Sequence, residues 1–195
     1  MKAIGLLTAP LLAALLLAGC QSSRFGGPYP RSAADRAFSE LLVMMQDRLE
    51  LHHESALLRW DGETAPDSYR EDIDPVLVLW EARGLPPHRG RSFFNAQLRA
   101  GEIVQQTAFS GWREEGQPSF EPLIDFAMVL RPELQQHLLD MEARLAAVQS
   151  GELNLDYARQ RVAQARESMR ASENIPDGAV EVALSPFRYH LRLWR

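Results

Sequence analysis

The chain has 195 residues, 46% of them apolar, a formal net charge of −5 and one cysteine. That length suits one domain with or without a tail, and the apolar fraction is enough for a buried core, which excludes a disordered chain. Net acidity without a basic block excludes nucleic acid as a partner, and a lone cysteine excludes an internal disulfide.

The first segment is read apart from the domain. Lys2 precedes an apolar run from Ala3 to Leu17, and Leu17-Ala18-Gly19-Cys20 follows. The run is short for a mature membrane span and has the basic n-region, apolar h-region and small residues of a cleaved export signal. It resembles a bacterial lipoprotein signal, with residues 1–19 removed and lipid attached to the sulfur and new amino group of Cys20. A plain signal with a chance cysteine is the simpler alternative; the complete box around the chain's single cysteine favours lipidation. Each buried CH₂ of an acyl chain contributes ~0.8 kcal/mol and one chain holds only marginally, so the several chains of a lipoprotein anchor firmly. In such lipoproteins Gln21 after the cysteine implies outer-membrane sorting, with the domain facing the periplasm. After cleavage no lysine remains, and every basic side chain is arginine.

Residues 20–31, rich in Ser, Gly and Pro, form a tether. From Ala33 the spacing becomes helical. Phe38, Leu41, Leu42, Met45, Leu49, Ala56 and Trp60 recur at helical steps, uninterrupted by Gly or Pro before Gly62, and predict a long first helix. A loop from Asp61 to Ser68 leads to a second helix from about Ser68 to Arg83, capped by Asp67 and stopped by Gly84 and Pro86-Pro87. A third helix is expected from about Arg91 to Trp112. A fourth, from about Leu123 to Val148, contains Pro132, which kinks or breaks it. Gly151 ends that helix, and a fifth, polar one covers Asn154 to Ser172. The segment from Ile175 carries a strand-like "VEVAL" with no assigned place. The fold class is all-α, with a helical domain over 32–150 and a C-terminal helix and tail over 151–195.

One feature of the first helix departs from a plain core face. Arg48, His52, Ser55 and Arg59 lie along one line, and at 3.6 residues per turn the two arginines point the same way roughly 16 Å apart. Gln97, Gly101 and Gln105 form a second polar line on the third helix. Arg70 beside Asp67 and Glu71, and Arg131 on the fourth helix, allow four arginines to converge with a glutamine. No HExxH, CxxC, phosphate loop or nucleophile elbow is present, and His52-His53 diverge by about 100°, a poor metal pair. Arginines and a glutamine bind carboxylates and hold a polar oxygen; they suit a reaction that needs positioning and charge stabilisation alone.

"DRLELHHESALLRW", "DSYRE", "FFNAQLRAGEIVQ" and "VLRPEL" resemble the helical AroQ-class chorismate mutases, in particular their exported branch. The likeness runs from about Ala37 to Ala147 with the blocks in order. It implies conversion of chorismate, a dicarboxylate, to prephenate by Claisen rearrangement, without cofactor or metal, in an enzyme commonly dimeric. By the same resemblance Arg48, Arg70 and Arg131 bind substrate carboxylates, Asp67 and Glu71 stand at the hydroxyl side, and Gln105 donates to the ether oxygen. Arg59 falls on the family's lysine at that oxygen, and Gly101 where the family usually has a carboxylate-binding Ser or Thr. A glycine inside a helix costs about 1 kcal/mol against alanine, so a compensation is expected, namely room for Arg59.

Plainer readings stand beside these. Each arginine alone is more often a solvated or ion-paired helix residue, His52 a packing or hydrogen-bonding one, and Gln97 a bridge between helices. The competing function is a non-catalytic lipid-anchored helical module that binds a small anion or a protein partner.

Overall fold

Ser32 starts the first helix by a reciprocal cap: its Oγ accepts from Asp35 N at 2.9 Å, and the Asp35 carboxylate accepts from Ser32 N at 3.2 Å. Asp35 also accepts from Asn154 N at 2.9 Å, so the start of this helix and the start of the fifth are tied together. The computed structural model describes residues 29–60, 73–116 and 126–194. Along them run α1 (Ala33–Arg59), α2 (Asp74–Ala82), α3 (Pro87–Glu115), α4 (Arg131–Gln149), α5 (Leu155–Arg170) and α6 (Asp177–His190). No strand occurs among the described residues, and the fold is all-α.

Two boundaries differ from the sequence reading for reasons of proline chemistry. α2 begins at Asp74 with Pro75 in its first turn, where a missing N–H and a fixed φ do least harm; the expected start near Ser68, with its Asp67 cap, lies outside the described residues. α3 begins at Pro87, four residues before the expected Arg91, for the same reason. At Pro132 the fourth helix changes its winding without a gap. A π-helical turn, Phe126–Leu130, ends just before α4, whose first turn holds the proline.

The strand-like C-terminal segment is a helix. Val180, Ala183, Leu184 and Phe187 follow three- and four-residue steps, are fully buried and form part of one core with α1 and α3. Pro186 leaves Val182 O without its usual amide donor, and Ser185 Oγ donates to it instead at 2.8 Å. A 3₁₀ turn, Leu191–Trp194, then sets Trp194 Nε1 on Pro186 O at 3.1 Å and its ring 5.6 Å from that of Phe187.

α4 lies antiparallel along α1, as the contacts Arg144–Glu40 at 2.7 Å and Arg48–Leu134 at 2.8 Å require. α3 runs parallel to α1, since Gly101 faces His52 and Phe109 stacks on Trp60 with centroids 5.7 Å apart. α6 packs along α3, with the Phe187 ring 5.1 Å from that of Phe38 on α1, and α5 packs on α1. Close approach to α3 uses glycine twice. A Cβ on Gly90 would lie 2.8 Å from the Trp80 ring of α2, and one on Gly101 would lie 2.2 Å from His52.

Candidate functional site

Arg48, His52 and Ser55 of α1 are buried at 1%, 4% and 0% exposure, and Arg59 is half-buried in the last turn. Four polar side chains on a helix face at such depth need partners from the neighbours. Arg48 Nη1 donates to Leu134 O of α4 at 2.8 Å. The other partner is Gln105 of α3, itself 4% exposed. Its Nε2 donates to His52 Nδ1 and to Ser55 Oγ, each at 3.2 Å, while its Oε1 accepts from Arg59 Nη1 at 3.4 Å. One carboxamide thus meets three members of the α1 line. One turn beyond, Trp60, Phe109, Trp112 and His53 form an aromatic wall, with ring centroids 5.7 to 6.0 Å apart.

Burial, then the charges of Arg48 and Arg59, hold the His52 pKa well below its usual value, so this imidazole is neutral at pH 7. The face therefore carries two cations with a neutral ring between them. Its groups can grip carboxylates and donate to an oxygen that gains charge. Among the described residues no group of three or more His, Cys, Asp and Glu side chains is placed to hold a metal ion.

The structure brings together Arg48, Arg59, Gln105 and Gly101 of the residues singled out in the sequence. Arg131 opens α4 with an exposed side chain, one turn before the Leu134 carbonyl that receives Arg48. Asp67, Arg70 and Glu71 lie outside the described residues. Gly101 requires a correction: the room it leaves is filled by the His52 ring, not by Arg59. Gln97 also leaves the site: it donates to Ala183 O of α6 at 3.0 Å, a bridge between helices. The residue that spacing undervalued is His52. Its signal was the interior glycine of α3, which marks a close approach without naming the side chain that makes it.

No family model matches the chain, and no curated protein matches it. Solved structures do. A chorismate mutase from Burkholderia phymatum is 25% identical, with 80% of this chain and 98% of that one covered and a TM-score of 0.62. A chorismate mutase from Burkholderia thailandensis is 24% identical, covering 76% of this chain and 97% of that one, with a TM-score of 0.59. The chain has the helical fold of these two proteins.

Gly101→Ala is expected to destabilise the protein although alanine favours a helix by about 1 kcal/mol, because the new Cβ meets a ring locked by Gln105; the net loss is about 1–2 kcal/mol in urea unfolding. Combined with His52→Ala, the loss falls below the sum of the single losses. A Gly101→Ala protein as stable as wild type means that His52 moves freely.

His52 also sets a pH dependence. The unfolded chain takes up a proton here near pH 6.5 and the folded chain refuses it, so stability is full above that pH and falls below it, by up to about 1.4 kcal/mol per pH unit. In urea titrations between about pH 6.5 and 5, His52→Asn should lose less stability than wild type. Parallel curves would contradict a buried neutral imidazole.

Proposed function

We propose that the chain is a chorismate mutase that converts chorismate to prephenate. The fold supports this reading, and one observation carries it to the site: Arg59 of α1 and Gln105 of α3, the two groups that the family resemblance sets on the ether oxygen, meet at 3.4 Å on the helix face that also holds buried Arg48. That contact is long for a hydrogen bond, and an oxygen carrying developing charge is a better acceptor for the guanidinium than a neutral amide.

The rearrangement breaks the ether C–O bond while a C–C bond forms within the same molecule, so no atom is gained or lost. It needs no nucleophile and no external base. Arg48 and Arg131, with Arg70, hold the two carboxylates and keep the enolpyruvyl arm over the ring, which lowers the entropic part of the barrier. Arg59 and Gln105 face the ether oxygen, whose charge grows in the transition state, and so bind that state better than the substrate. The planar fork of Arg59 replaces an ammonium and reaches Gln105 from the end of α1. Asp67 and Glu71 complete the hydroxyl side.

The enzyme works at a membrane in this proposal. Lipid on Cys20 and a tether over 20–31 hold it on the periplasmic face of the outer membrane. No helix among the described residues is long and apolar enough to cross a membrane.

The full chain in detergent should consume chorismate, followed by loss of its ultraviolet absorbance. Arg48→Ala should abolish turnover, and Gln105→Leu should lower kcat by about 10²–10³, the loss typical of one such donor. A folded wild-type protein that leaves chorismate untouched would favour the non-catalytic, anion-binding module. The anchor is checked separately: labelled palmitate should enter the wild-type chain in bacterial cells and not Cys20→Ala, and labelling of the variant would remove Cys20 from the proposal.

A further inference from the structure

Both hydrogens of the Gln105 amide nitrogen are spent on α1, one on His52 Nδ1 and one on Ser55 Oγ, and only Oε1 is turned to Arg59. The proposed rearrangement asks the opposite of this amide, a donor beside Arg59 on the ether oxygen. Turning the amide about its last torsion supplies that donor and brings Oε1 to the place Nε2 now holds. The place is lined by two groups that donate as well as they accept. A serine hydroxyl rotates, and a neutral imidazole carries its proton on either nitrogen. Burial beside Arg48 and Arg59 keeps His52 in that neutral form. The end of the amide turned toward α1 therefore finds partners in either orientation, which removes from Gln105 the penalty that would otherwise lock it.

Resting on the chorismate mutase reading, we propose that His52 and Ser55 are positioning residues that form a reversible cradle for Gln105. They accept from Nε2 in the arrangement seen, and they donate to Oε1 when Gln105 turns Nε2 toward the breaking C–O bond. At His52 the change is a tautomer exchange: the proton on Nε2 is lost, one is taken up at Nδ1, and the charge of the ring stays the same. Gly101 makes the cradle sterically feasible, since the imidazole lies where a Cβ at that position would be, 2.2 Å from Nε2.

The cradle predicts a pattern that packing alone does not. Asparagine reproduces the Nδ1 position with an amide that itself donates or accepts, whereas leucine fills the volume and does neither. His52→Leu should lower kcat about tenfold with KM within about twofold, the mark of an interaction made in the transition state. His52→Asn should recover most of that loss. Equal kcat values for wild type and His52→Leu, or an asparagine variant no better than leucine, overturn the cradle. If His52→Leu fails to fold, Ser55→Ala removes the other dual partner with little change in volume, and it should lower kcat at unchanged KM; wild-type kcat in that variant overturns the cradle too.

Tautomer state gives a reading independent of rate. In protein with ¹⁵N-labelled histidine, Nδ1 of His52 should carry no proton in the protein alone and should carry one with saturating prephenate. Turnover with the same tautomer in both samples rejects the cradle and leaves the mutase reading standing. A wild-type protein that neither turns over chorismate nor binds prephenate rejects that reading, and the cradle with it.

Discussion

An arginine with 1% of its surface exposed is the constraint around which the other helices are arranged. Arg48 cannot keep its charge in a helical core without oxygen partners, and the carbonyl of Leu134 at 2.8 Å is one of them. That bond sets where α4 crosses α1, and the antiparallel course then brings the first turn of α4, with Arg131, to the same end of the molecule. The opposite flank of the polar line is left to α3. Gln105 meets it with one side chain that satisfies His52, Ser55 and Arg59 together. The same contacts that make the polar face tolerable in a core hold its groups in the geometry that the proposed chemistry uses.

The C-terminal helices act on this site without touching it. α6 backs α3 through buried Val180, Ala183, Leu184 and Phe187, and the Gln97 bond to Ala183 O fixes the register of the two helices. α5 and the turn after it grip the outer face of α1, where Ser168 donates to Gln46 at 2.9 Å and Ser172 to Glu50 at 2.6 Å. α3 is thereby held with Gly101 under the His52 ring rather than one residue to either side. A shift of one residue rotates a helix by about 100° and would bring a side chain against the imidazole.

Much of the fold was legible because its signals are local. The proline and glycine stops and the three- and four-residue apolar steps are written within each helix, and the extents of α1 and α5 and the C-terminal end of α4 follow from them. "VEVAL" was misleading, since five residues with valine at the first and third positions fit either period and only burial against α3 selects the helix. In the site, Arg48, Arg59 and Gln105 were legible from spacing along single helices. The pairing of His52 with Gly101 was not, because it depends on the register between α1 and α3, which no spacing within one helix contains. The glycine announced a close approach, and the nearest long cation on the line was the wrong side chain to assign to it.

Two departures from the chorismate mutase pattern that the sequence resembles, Gly101 for a hydroxyl residue and Arg59 for lysine, both bear on His52. The imidazole takes the space that glycine leaves, and it stands between two arginines on one helix face. Were it protonated, three cations would share roughly 16 Å of that face, which burial and mutual repulsion forbid. Neutral, it contributes direction instead of charge: it holds the amide of Gln105 while the cations of the face are Arg48 and Arg59. A hydroxyl at position 101 would offer a substrate one hydrogen bond directly. In the proposed mutase the ring at 52 acts on the substrate through Gln105, and its influence is therefore exerted on the orientation of the donor at the breaking bond and not on the grip on the carboxylates.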